Sequence, residues 1–257
     1  MKEILFVKMH GAGNDFVMID DRDGAFPVEP GFIARLAQRP TGVGCEGVIL
    51  VQRSATRDFR MRFFNPDGSE AELCGNGARC VAAFARTIGA AKADRMVFET
   101  AAGDIAAEIV SSDSVKIAMP PPKDFRGDFV VAGVPHRIVI VDDLEHFDVD
   151  GEGRRIRYSE EFAPAGTNVD FVRYERPGRV FIRTYERGVE AESFACGTGS
   201  VAAAVIGVKN HGLSFPVEVT TAKGCKLLIG GRYADGQFEA ITLTGPVATV
   251  FRGKFLA

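Results

Sequence analysis

The sequence predicts a duplicated α+β fold in which each half wraps strands around one buried helix. Three observations carry this expectation. A strand, an acidic turn and a Cys-Gly-x-Gly run occur twice in the same order. An almost wholly apolar helical segment follows each run. β-branched and aromatic runs bounded by Gly, Pro, Asp and Asn supply strands around them.

In the first block, Met61 to Leu73 leads into Cys74-Gly75-Asn76-Gly77 and then the Ala-rich run Ala78 to Ala85. In the second, Phe181 to Glu192 precedes Cys196-Gly197-Thr198-Gly199 and then Ser200 to Val205. Each block continues with a further strand and a Gly turn, Val97 to Gly103 and Val217 to Gly224. The openings also rhyme, Gly13-Asn14-Asp15-Phe16-Val17 against Thr167-Asn168-Val169-Asp170-Phe171-Val172, which pairs Asn14 with Asn168.

Strands are expected at Ile4 to Lys8, Val48 to Val51, Phe59 to Phe64, Val115 to Ala118, Arg137 to Val141 and Arg179 to Thr184. A short helix follows Pro30, over Gly31 to Gln38. The main helices are expected at Ala78 to Ile88 and Val201 to Val208. Both are apolar around most of their circumference, the mark of a helix enclosed by other elements. Pro120-Pro121-Pro122 reads as the linker between halves, and Arg154-Arg155-Ile156-Arg157 as a solvated turn. Gly42-Val43-Gly44-Cys45-Glu46-Gly47 spells G-x-G-x-x-G, but a helix precedes it and a strand follows. A dinucleotide site needs the opposite order, so this is a turn.

Composition narrows the class. The 257 residues are 46% hydrophobic and 25% charged, ordinary globular usage. A net charge of −3 offers no footprint for nucleic acid or an anionic membrane. The N-terminal stretch has too short an apolar core for a signal peptide, and Val201 to Val208 is too short to cross a bilayer, so a cytoplasmic protein is expected. The five cysteines, Cys45, Cys74, Cys80, Cys196 and Cys225, are an odd number without metal-ligand spacing. They read as reduced thiols with separate roles rather than as a disulfide framework or zinc site.

A cysteine at a helix N-terminus faces exposed N–H groups and the positive end of the macrodipole, which favours thiolate. The glycines beside it leave backbone amides open to a carboxylate. Two such units suggest two-base inversion. One thiolate removes a Cα proton, the other thiol returns one to the opposite face, and the amides stabilise the developing enediolate.

These residues resemble the cofactor-independent diaminopimelate epimerases. The most specific matches are Lys8 to Phe16, Phe64 to Ser69, Cys74 to Cys80, and Tyr185-Glu186-Arg187-Gly188 through Ala195 to Gly199. The resemblance covers essentially the whole chain. It implies two pseudo-symmetric domains, each a β-barrel-like sheet around a central helix. The halves would be residues 1–118, joined by a returning strand at about 246–257, and residues 119–245. It implies conversion of LL-2,6-diaminopimelate to the meso form in lysine and peptidoglycan-precursor biosynthesis, with no pyridoxal phosphate, metal or other cofactor, and a homodimer. Carried over by motif, Cys74 and Cys196 are acid and base, exchanging roles with direction. Gly75, Asn76, Gly197 and Thr198 hold the reacting carboxylate. Asn14, Asn65 and Asn168 contact substrate, Arg187 meets its distal carboxylate, and Glu186 and His136 belong to the catalytic site.

Two positions depart from the family pattern. Val134 stands where well-known members have a substrate-contacting asparagine, and Gly47 where some have a glutamine. The alternatives are therefore a racemase of lysine, histidine or proline type on the same scaffold, and a non-catalytic thiol redox sensor.

Overall fold

A computed structural model describes residues 3–72 and 74–256. Leu73, in the block before Cys74, and the chain-end positions Met1, Lys2 and Ala257 of the expected halves lie outside the described residues. The chain divides into two compact units, residues 1–117 with 245–257, and residues 118–244.

The first unit carries β1 (Glu3–Gly11), β2 (Asn14–Asp20), α1 (Pro30–Ala37), β3 (Gly47–Gln52), β4 (Phe59–Phe64), β5 (Glu70–Ala71), α2 (Gly75–Thr87), β6 (Arg95–Thr100), β7 (Gly103–Ser111) and β8 (Ser114–Ala118). The second carries β9 (Lys123–Arg126), β10 (Phe129–Ala132), β11 (Val134–Ile140), α3 (Val149–Arg157), β12 (Asn168–Glu175), β13 (Arg179–Glu186), β14 (Ala191–Glu192), α4 (Gly197–Asn210), β15 (Val217–Thr221) and β16 (Lys226–Ala234). The last strand, β17 (Gln237–Leu256), serves both. Its residues 237–244 pair with β16, and its residues 247–256 pair with β1.

The first unit's strands form the ring β1-β2-β3-β4-β6-β7-β8-β17, with β17 pairing back to β1. The second unit repeats the order as β9-β10-β11-β12-β13-β15-β16-β17. In both, a helix joins two adjacent parallel strands, α1 between β2 and β3 and α3 between β11 and β12. The fold is α+β, two pseudo-symmetric barrel-like sheets each wrapped around a central helix. The α2 helix packs on β1, β2, β3, β4 and β7, and α4 on β10, β11, β12, β13, β15 and β16. Continuous burial of Asn76 to Ala82 and of Gly199 to Gly207 follows from that enclosure.

Three expectations are corrected. The central helices begin at Gly75 and Gly197, three and four residues ahead of the apolar runs, because each preceding Cys is already extended and caps the helix. The basic run 154–157 is the last turn of α3, not a loop. Asp148 caps that helix by accepting from Gly151 N, acids fill its first turn, and arginines face the negative end of its dipole. The rhyme between Asn14 and Asn168 is not structural. Asn14 opens β2, whose counterpart β11 opens at Val134, whereas Asn168 opens β12, whose counterpart β3 opens at Gly47. The register agrees, since Phe16 pairs with Gly47 as His136 pairs with Asn168.

Among the described residues, no helix is long and apolar enough to cross a membrane.

Candidate active site

In the first unit, Cys74 occupies the N-cap of α2 in extended backbone, and Ala78 N donates to its carbonyl at 2.8 Å. The N–H groups of Gly75, Asn76 and Gly77 therefore precede the helical ladder and project from its positive end. Gly77 lets the turn approach β3 closely; a Cβ there would lie 2.7 Å from Ile49 Cδ1. Asn76 is buried, and its Oδ1 accepts from Arg79 Nη2 at 2.8 Å. Arg79 is fully buried.

Asn14 lies at the β1–β2 hairpin, where it pairs with Gly11, and its Oδ1 is buried without a protein partner. Asn65 closes the turn after β4, with its Nδ2 donating to Ser69 Oγ at 3.0 Å and its carbonyl accepting from Gly68 N at 3.0 Å. Gly68 has a φ of +87° and sits against Pro30, so that turn requires glycine.

The second unit gathers more of the expected residues. Cys196 caps α4, and its Sγ accepts from Gly199 N at 3.4 Å and lies 3.3 Å from Thr198 Oγ1. Thr198 Oγ1 is 3.0 Å from His136 Nε2. On its other side, His136 Nδ1 is 2.7 Å from Asp170 Oδ2. Asp170 Oδ1 accepts from Thr184 Oγ1 at 2.7 Å, the residue directly across on β13. Asn168 Oδ1 accepts from Arg187 N at 2.7 Å, while its Nδ2 is 3.5 Å from His136 Nε2. Cys196, Thr198, His136, Asn168 and Arg187 are thus joined in one network, with Glu186 beside it. The Arg187 guanidinium reaches Ala165 O at 3.4 Å.

The electrostatics correct one expectation. Cys196 is not held as thiolate: burial pushes its thiol well above the ordinary value, and the charges of Glu186 and Asp170 push the same way. Hydrogen bonds from Thr198 and Gly199 N oppose them and lose. Removal from water outweighs the helix N-terminus at this position. Burial also raises the Glu186 carboxyl, against a hydrogen bond from Ser193 and the nearby His136. Cys80, fully buried on α2, is pushed up to about 12 by desolvation. Among the described residues, no three His, Cys, Asp or Glu side chains gather as metal ligands.

Sequence reasoning missed Asp170, Thr184 and Arg79. Asp170 had a readable signal, an acid within the run Val169 to Val172 that is otherwise apolar and buried.

The fold has counterparts among known proteins. The family model described as diaminopimelate epimerase matches residues 6–124 and 129–249. A diaminopimelate epimerase of Chlorobaculum tepidum is 40% identical over 256 residues, covering 95% of this chain and 98% of its own. One from Aquifex aeolicus is 41% identical over 273 residues, covering 97% and 96%. Among solved structures, a phenazine biosynthesis protein of the PhzF family from Bacillus anthracis superposes with a TM-score of 0.75 at 18% identity, over 100% of both chains. A hydroxyproline epimerase from Agrobacterium vitis does so with 0.68 at 18%, over 98% of this chain and 92% of its own. The structural likenesses define the fold, while the family match and full-length identity near two-fifths establish that the chain belongs to the diaminopimelate epimerase family.

Proposed function

We propose that the chain inverts one α-carbon of LL-2,6-diaminopimelate to give the meso compound, with Cys74 and Cys196 as its two acid–base groups. The chain is an isomerase of the epimerase class. One observation carries the assignment of chemistry: the repeated fold puts a cysteine at the same place twice, capping the central helix of each unit. Inversion at Cα needs one group to remove a proton and another to deliver one to the opposite face. A thiol at each cap supplies both without an electron sink.

The amides of Gly75, Asn76, Gly197 and Thr198 are the donors proposed for the reacting carboxylate, where negative charge grows as the proton leaves. Asn14, Asn65 and Asn168 are the proposed polar contacts, with Arg187 for the distal carboxylate. Glu186 and His136 serve Cys196, beside which they lie. The small-molecule substrate is diaminopimelate; the working form is a cytoplasmic homodimer, for which sedimentation at micromolar concentration is the test.

Substrate identity is tested by offering the purified chain LL-diaminopimelate, lysine, histidine and proline in deuterated water. Exchange of the α-proton with inversion of diaminopimelate alone is the expected result. Faster inversion of another amino acid would replace this substrate, and no exchange with any of them would favour a redox role.

A further inference from the structure

We propose that Asp170 is a positioning residue that gives direction to a proton wire from Cys196 through the Thr198 hydroxyl to His136, a wire built into the Cys196 unit and not its counterpart. The inference rests on the reading of Cys196 as an acid–base thiol.

Direction follows from one backbone hydrogen bond. Arg187 N can only donate, so the Asn168 side-chain atom 2.7 Å from it is the carbonyl oxygen. The Asn168 NH2 group therefore faces His136 Nε2, at 3.5 Å. A donor on that side makes Nε2 a lone pair, so the ring proton sits on Nδ1 and donates to Asp170 Oδ2 at 2.7 Å. Thr184 fills the carboxylate's other oxygen. With Nε2 an acceptor, the Thr198 hydroxyl donates to it at 3.0 Å. The remaining lone pair of Thr198 faces Cys196 Sγ at 3.3 Å and accepts from the thiol. Every hydrogen bond in the chain points the same way, from sulfur to imidazole to carboxylate.

The step this permits balances simply. The Cys196 proton moves to Thr198 Oγ1 as the Thr198 hydroxyl proton moves to His136 Nε2. A thiolate is left on Cys196 and an imidazolium on His136, paired with the buried Asp170 carboxylate. The reverse transfer restores the thiol. The charged or titratable groups facing this chain are Asp170 from β12, Glu186 from β13 and Cys196 at the cap of α4. A thiol whose burial opposes ionisation gains from an acceptor that takes its proton without releasing it to solvent.

The repeat supplies the contrast. The register positions of His136, Asp170 and Thr184 are occupied in the first unit by Phe16, Ile49 and Phe63. Phe16 and Phe63 pack edge to face there, with centroids 6.2 Å apart. The glycine three residues after each capping cysteine confirms the equivalence: a Cβ on Gly77 would strike Ile49, and one on Gly199 would strike Asp170. An apolar trio in one unit is a polar trio in the other.

The test combines nitrogen-15 NMR of histidine with a double-mutant cycle. In the unaltered protein, His136, assigned by its loss in His136→Gln, should show a protonated Nδ1 and an unprotonated Nε2. The opposite tautomer overturns the proposal whether or not any variant folds. Asp170→Asn and Thr198→Val should each lower kcat about 10²-fold with KM changed less than about threefold, and the double variant should lose no more than either alone. Losses that multiply to about 10⁴ would mean separate roles and would also overturn it. A rise in kcat for Asp170→Asn would show that its charge acts on the thiol alone, again against the wire. If the unaltered chain inverts no diaminopimelate, the substrate reading fails while the tautomer still decides this one.

Discussion

Gly199 stands so close to Asp170 that a Cβ on it would lie 2.4 Å from Oδ1. The same glycine donates its N–H to Cys196 Sγ, so one residue without a side chain keeps the capping turn, the thiol and the buried carboxylate in register. Gly199→Ala should therefore displace a hydrogen-bonded carboxylate that has no room to move, costing about 1–3 kcal/mol in chemical denaturation and most of the turnover. Gly77→Ala is the control. It meets only the tip of Ile49, and alanine's better helix propensity offsets about 1 kcal/mol of the clash. Equal losses in the two variants would count against the carboxylate as the cause.

Cysteine replacements should divide cleanly. Cys74→Ala and Cys196→Ala should each depress kcat by about 10²–10⁴, the usual worth of a placed acid or base. Cys45→Ala, Cys80→Ala and Cys225→Ala should stay within about tenfold, since none of them caps a helix. Steady-state rates on pure protein decide it, and near-normal turnover in either capping variant would sink the two-thiol mechanism.

Glu186 sets a pH-dependent contribution of definite sign. Its carboxyl is raised by burial, so its neutral form is favoured in the folded chain. That contribution is complete below the unfolded value of about 4.3 and is lost as pH rises through the folded value. Glu186→Gln should thus be more stable than the parent at neutral pH, with the advantage vanishing near pH 4. Removing the charge also eases ionisation of Cys196, so ultraviolet thiolate absorbance should appear at lower pH. A thiolate titration that moves upward would contradict this electrostatic account.

Asp148→Ala removes the side-chain N-cap of α3 and should cost about 1 kcal/mol. Because α3 lies on the outer faces of β12 and β13, away from the thiol network, kcat should hold. Denaturant midpoint and turnover measured on the same preparation separate the two effects.

The strand Phe59–Phe64 is legible, because bulky apolar residues alternate with Arg60 and Arg62 and the run ends at the Asn65-Pro66 turn. The cysteine caps are legible because their pattern repeats. The α3 helix is not, since Val149-Asp150-Gly151-Glu152-Gly153 carries two glycines that local propensity counts against a helix. Both answer to packing: a Cβ on Gly151 would strike the Asp148 carboxylate, and one on Gly153 the Tyr185 side chain at 2.4 Å. Asn14 and Asn168 rhyme in sequence yet open non-equivalent strands, since similar turn chemistry arises wherever a strand begins. Asp170 escapes because a buried acid is recognised by its partners, and those lie 34 residues back at His136 and 14 ahead at Thr184.

The double duty of β17 bears on how the protein is made. β1 is synthesised well before residues 247–256, the segment that pairs along one of its edges. The first unit thus waits through translation of the whole second unit with an unpaired sheet edge, the state most exposed to wrong pairing. The second unit completes its own pairing once residues 237–244 reach β16, before that wait ends. Completion of pairing therefore runs opposite to chain order, and a chain lacking residues 247–256 would leave the first unit's sheet open while sparing the pairing of the second.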